Sequence, residues 1–224
     1  MDGNFNTKGY RTSLAKTFNR LKELPSLEQV REEAITLESG AGFLLPVGNY
    51  HYQLADVIQT MAKWAKQKNH TFPVQFPVTM PGTLSWLSDR VLANPGRMLF
   101  LVTNQTGTLV GQVGFIDSLN DEGEMWLANI LRGEDDLSPG IMTAAVQALM
   151  AWARQMFKPR RICLRVLSHN EHAIKFYNKL GFRRKGKAPY WIHQIDNRLE
   201  IFPHPPEAST PVDMFFDIMI HQGD

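Results

Sequence analysis

The chain has 224 residues, 43% of them hydrophobic and 21% charged, with a formal net charge of +2; it is long enough for one substantial core and too apolar for wholesale disorder. Its mixed charges form no Lys/Arg block able to neutralise many phosphates, which argues against a nucleic-acid partner. The single cysteine, Cys163, excludes an intrachain disulfide and a cysteine-rich metal framework, the start MDGNFNTKGYRTS lacks the apolar core of a signal peptide, and the apolar-rich run Ile141 to Ala153 is too short to span a bilayer, so a soluble cytoplasmic protein with no membrane partner and no metal is expected.

Residues 1–40 are polar, rich in Lys and Glu, and carry spaced leucines at Leu14, Leu21 and Leu24. They read as a helical extension, packed or partly frayed, ahead of a single domain over residues 41–224. Phe43 to Val47 suits a first strand, and Leu54, Val57, Ile58, Met61 and Trp64 recur at helical spacing. HTFPVQFPVTMPG, residues 70–82, holds three prolines and reads as a surface loop. A second helix is predicted over Thr83 to Ala93, stopped by NPG.

β signals follow. MLFLV (98–102), LVGQVGFID (109–117) and EMWLANIL (124–131) are separated by turn residues and read as an antiparallel meander. From Ser138 to Phe157 the period becomes helical, with Met142, Ala145, Val146, Leu149, Trp152, Ala153 and Met156 on one face. RICLRV (161–166) is a strand, SHNEHAIKFYNKLGF (168–182) a short helix, Phe182 to Arg184 a restart of extended structure, and DMFFDIMI (213–220) a last strand. Two strand-helix-strand crossovers on an otherwise antiparallel sheet give a mixed α/β domain with helices on both faces.

Two stretches can carry chemistry. In RGEDDLSPGIMTAAV (132–146), Ser138 reads as an N-cap, Pro139 as the first helical residue and Gly140 as a point of close approach. Free N–H groups and the helix dipole there suit a phosphate or pyrophosphate, although proline removes one donor; the plain alternative is ordinary helix-start punctuation. In SHNEHAIKFYNKLGF the cap is Ser168, in a box with Glu171, or else Asn170. Ala173, Phe176, Tyr177 and Leu180 then share one face, and Gly181 ends the helix. Packing alone accounts for that pattern.

Asn170, Ala173, Ile174, Phe176, Tyr177, Gly181 and Phe182 resemble the N-x-x-A-I-x-F-Y-x-x-x-G-F signature of the GNAT superfamily of acetyl-CoA-dependent N-acyltransferases. The likeness extends through RICLRV, the long helix and EMWLANIL, and more loosely over residues 41–224. It implies a GNAT-like fold: a central, mostly antiparallel sheet with one splayed parallel strand pair. The family's pyrophosphate loop is usually Q/R-x-x-G-x-G/A, and Leu137, Ser138, Pro139, Gly140, Ile141 and Met142 keep only Gly140 of it. The NILRG and PGIM stretches are similar to a subgroup that acetylates amino groups on nucleotide-linked sugars.

The resemblance implies acetyl-CoA as co-substrate and a small-molecule primary amine as acceptor. Tyr177 would then protonate the leaving thiolate, Ile130, Leu131 and Arg132 would bind the pantetheine arm and the oxyanion through the backbone, Ser138, Pro139, Gly140, Ile141, Met142 and Thr143 would take the pyrophosphate, and Asn170 and Lys175 would lie near the cofactor. Glu124 is the candidate base, with His169 the alternative. Arg132 would grip an acceptor phosphate or pair with Glu134, Asp135 or Asp136. A protein or peptide α-amine as acceptor, a GNAT-like binding module without turnover, and a homodimer stay open, as does whether residues 1–40 cover the active site, bridge a dimer or do neither.

Overall fold

The computed structural model describes residues 5–135, 137–195 and 198–223, the Arg198 side chain excepted. The chain divides into two compact units, Met1–Ile162 and Cys163–Asp224.

In the first unit, β2 (Gly42–Pro46), β3 (Met98–Asn104), β4 (Leu109–Ile116) and β5 (Glu124–Arg132) pair antiparallel in chain order, and β1 (Ile35–Thr36) pairs with β2. Alternation along β3 sets the layers, because successive side chains point to opposite faces. Leu99 and Leu101 join a core with Val57, Ile58, Met61 and Trp64 of α4 (Ala55–Gln67). Phe100, between them, meets Trp152 of α6 (Ile141–Phe157) edge-on at 5.5 Å. Phe157 of α6 in turn meets Phe18 of α1 (Thr7–Lys22) at 5.7 Å. Helices therefore cover both faces of these strands.

Residues before 41 are continuous with this unit. Leu14, Phe18 and Leu21 of α1 and Val30 of α2 (Leu27–Glu32) are buried. The Tyr10 hydroxyl donates to the Ser118 carbonyl at 2.8 Å, tying α1 to the β4–β5 connection. Leucine spacing therefore identified the helix but not its membership of the core, and β1 is too short to show a period.

Two helix details differ from expectation. After α3 (Asn49–Tyr52) and α4, α5 spans Met80–Trp86, three residues earlier than expected, and continues as a π-helical turn over Leu87–Leu92. The Thr79 hydroxyl accepts from Gly82 N–H at 3.1 Å, and Pro81 lies in the first turn, where a missing N–H costs nothing. Met156, placed on the apolar stripe of α6 by spacing, is 44% exposed.

In the second unit, β9 (Met214–His221) pairs antiparallel with β6 (Arg161–Leu167), whose first two residues precede the division, and with β7 (Phe182–Ile195). β7 is 14 residues long and also pairs with β8 (Arg198–Pro203), a strand the sequence reading lacked. The charges of Arg183, Arg184, Lys185 and Lys187 mask its apolar period, while Phe182 and Tyr190 are buried. Tyr190, Leu167 and Phe216 form a small core, against which Ala188, Ile201 and Met214 pack. Helix α7 is Glu171–Lys179.

Candidate functional site

Strand β5 is broken at one point. Gln112 faces Leu131 and Gly114 faces Ala128, so Val113 alone opposes Asn129 and Ile130. Asn129 has φ 55, a left-handed conformation that asparagine tolerates better than most residues. The extra residue interrupts the ladder and turns backbone polar groups out of regular pairing. Leu131 is buried and its side chain joins the Trp64 core, so what it offers a ligand is main chain. The bulge was missed in the sequence; the signal for it was an asparagine inside the apolar run WLANIL.

Beyond β5 the chain enters α6 through a tight turn. Pro139 and Gly140 are the central residues, Gly140 has φ 80 and ψ −10, and the Ile141 N–H donates to the Ser138 carbonyl at 3.2 Å, the arrangement of a type II turn. Ser138 is therefore not the N-cap: its φ is 51, Gly140 holds the cap position, and no side chain caps the helix. Pro139, lying before the cap, removes no donor from the first helical turn. The Thr143 N–H donates to the Gly140 carbonyl at 2.9 Å. Among the described residues, the N–H groups of Gly140 and Met142 make no hydrogen bond. No acidic residue lies in that first turn, so the dipole and these donors suit an anion.

Arg132 is engaged by its own loop. Its guanidinium donates to the carbonyls of Glu134 at 3.3 Å, Asp135 at 2.5 Å and Leu137 at 3.1 Å, and so folds the loop that leads to α6. The Glu134 carboxylate instead accepts from Lys63 Nζ at 2.8 Å and Trp64 Nε1 at 2.9 Å, and Lys68 Nζ meets Asp135 at 2.5 Å. Those hydrogen bonds hold both carboxyls below the usual carboxylate range. The expected pairing to Asp136 lies outside the described residues.

Glu124 stands apart from these groups. It begins β5, five residues before Asn129, roughly 17 Å away along an extended strand. Its carboxylate lies 3.7 Å from Arg161 Nε. Distance and pairing both argue against Glu124 as the base.

On α7, Asn170 is the cap, its Oδ1 accepting from Ala173 N–H at 3.0 Å. The alternative with Ser168 does not form, because the Ser168 hydroxyl donates to buried Asp217 at 2.6 Å. Lys175 is exposed and lies 3.4 Å from Glu171. Tyr177 is half-buried, its ring meeting Phe176 at 5.4 Å and Phe182 at 6.2 Å. Its hydroxyl makes no hydrogen bond among the described residues. Desolvation pushes the phenol up to about 12, so it is protonated at neutral pH. His169, the alternative base, is exposed. No group of three His, Cys, Asp or Glu side chains that could hold a metal occurs among the described residues, and no helix there is long and apolar enough to cross a membrane.

A family model described as an acetyltransferase (GNAT) domain matches residues 50–183. The spermine/spermidine N(1)-acetyltransferase of Bacillus subtilis is 28% identical over 74 residues, which cover 33% of this chain and 49% of that protein. The chain thus spans about half the length of the curated relatives it matches. Among solved structures, the ribosomal L7/L12 alpha-N-protein acetyltransferase RimL aligns with a TM-score of 0.58 at 15% identity, covering 84% of this chain and 93% of that one. The microcin C7 self immunity acetyltransferase MccE, solved with acetyl-CoA and AMP, aligns with a TM-score of 0.58 at 13% identity, over 80% and 91% of the two chains. At these identities the solved structures show a shared fold.

Proposed function

The chain belongs to the GNAT acetyltransferase family, and we propose that it moves the acetyl group of acetyl-CoA to the primary amine of a small acceptor. The observation that carries this reading is the run from the Asn129 bulge to the first turn of α6. It offers a break in the β4–β5 ladder, where main chain could meet an extended arm, and then, about ten residues on, N–H donors at a helix N-terminus for an anion. A thioester on a pantetheine arm with a pyrophosphate at its far end has that order of features.

In this reading the neutral amine attacks the thioester carbonyl. A C–N bond forms, the oxyanion of the tetrahedral intermediate is met by backbone N–H at the bulge, the C–S bond breaks, and the thiolate takes a proton while the amine loses one. Tyr177 is the proton donor, supported by its half-buried ring and unpartnered hydroxyl. Its raised pKa makes it a weaker acid than a thiol at about 8.5, so the proton moves only in concert with C–S cleavage, as charge develops on sulfur, and the phenolate regains a proton from water. With Glu124 paired to Arg161, the amine enters already neutral or loses its proton to water.

For the acceptor we favour a small amine of the polyamine kind, because the curated relatives carry spermine or spermidine in their names. The amino-sugar reading finds no such support. A protein α-amine, which RimL's name gives, is the second reading.

Calorimetric titration with acetyl-CoA, with ATP as control, tests the donor site, and steady-state assays with spermidine, spermine and an N-terminal peptide test the acceptor. Saturable acetyl-CoA binding and turnover of a polyamine is the expected result. Binding with no turnover on any amine would favour a module without turnover, and no binding at millimolar acetyl-CoA would overturn the reading.

A further inference from the structure

Of the three carboxylates in the loop entering α6, the two among the described residues, Glu134 and Asp135, lie within eight residues of the donors at Gly140 and Met142. Unpaired, they would oppose any anion at that helix end. Instead each is held by α4 or by the residue that caps it. Lys63 and Trp64 donate to the same oxygen of Glu134, at 2.8 and 2.9 Å, and Lys68 holds Asp135 at 2.5 Å.

Trp64 also fixes the path of the loop. Its indole is fully buried, and a Cβ added at Gly133 would come within 2.1 Å of the ring, so only glycine lets the backbone pass over it. From the loop's own side, Arg132 gathers three carbonyls. The conformation that delivers the first turn of α6 is thus imposed by side chains outside the motif positions 137–142.

We infer that Lys63, Trp64 and Lys68 are positioning residues for the pyrophosphate of the donor: they neutralise Glu134 and Asp135 and set the loop that presents the helix N-terminus. This rests on the acetyl-CoA reading above. It accounts for a pyrophosphate loop that keeps one glycine of the usual pattern, since external bracing does what the usual loop sequence does for itself. Exposed ion pairs contribute little to stability, so a purely structural role would leave donor affinity unmoved.

The test uses the full chain. In Lys63→Met/Lys68→Met the freed carboxylates should raise the acetyl-CoA Kd by about three- to tenfold, as like charges at a partly solvated site do. Adding Glu134→Gln and Asp135→Asn should bring Kd back to within about twofold of the parent. The kcat/KM for S-acetylpantetheine, which lacks the pyrophosphate, should stay unchanged throughout. Trp64→Phe, which keeps a ring and loses the donor, should raise the acetyl-CoA Kd by about threefold, the scale of one lost hydrogen bond. An unchanged acetyl-CoA Kd in the lysine variants, or an equal loss with S-acetylpantetheine, overturns the inference while leaving the donor reading intact. A parent protein that binds no acetyl-CoA overturns both.

Discussion

At the start of α6 the chain offers the main-chain N–H groups of Gly140 and Met142, and the loop before them is held by Trp64, Lys63, Lys68 and Arg132. On α7 it offers one hydroxyl, that of Tyr177, which no other group engages among the described residues. The two regions differ in what can be substituted. Main-chain donors belong to every residue but proline, so positions 137–142 can depart from the family pattern provided the path of the chain survives. A phenol belongs to tyrosine alone, so under the proposed mechanism position 177 has no such freedom.

The sharpest way to break this contrast is Tyr177→Phe. Under the proposed mechanism, kcat should fall by about 10²–10⁴-fold, the usual worth of a general acid, while the KM for acetyl-CoA changes little. Steady-state kinetics decide it, and an unchanged kcat would leave α7 as packing only. Next in size is Gly133→Ala, which places a methyl group against the Trp64 indole and should cost about 1–3 kcal/mol in denaturant unfolding, with weakened acetyl-CoA binding. Loss of stability alone, with binding intact, would separate the loop's path from its proposed use.

Asn129 probes the bulge. At φ 55, Asn129→Val should destabilise by roughly 1–3 kcal/mol and Asn129→Gly by a few tenths, measured by thermal unfolding. Comparable losses in the two variants would mean that the asparagine side chain, and not the backbone conformation, matters there. On α7, Asn170→Ala removes the hydrogen bond to Ala173 N–H and should cost about 1 kcal/mol.

A further test uses pH. Burial pushes the Tyr177 phenol up to about 12 from an ordinary value near 10. The folded state therefore favours the protonated form. That contribution is fully present below pH 10 and is lost as pH rises toward 12, where the unfolded chain has already released its proton. Unfolding of the parent should weaken between pH 10 and 11.5 more than that of Tyr177→Phe. A parallel decline in both would place the phenol in water.

What the sequence determined by itself was local. The meander of β3 to β5, α6, β6, α7 and β9 follows from periodicity and turn residues, and the helix of α7 with its glycine stop follows from spacing that a nine-residue amphipathic element requires. Asn170 as a cap candidate and Tyr177 on the packed face were legible because both follow from spacing along one helix. Tertiary structure decided the rest. Which cap closes α7 depended on Asp217, nearly fifty residues away, which draws off Ser168. Arg132 turned to carbonyls of its own loop, while Lys63 and Lys68 took Glu134 and Asp135. The bulge at Asn129 arose from register against β4, and β7 and β8 from pairing between strands whose charges hide their period. Periodicity reports how one element meets a core, whereas partner choice and register depend on residues distant in the chain, and these decide where a main-chain site forms.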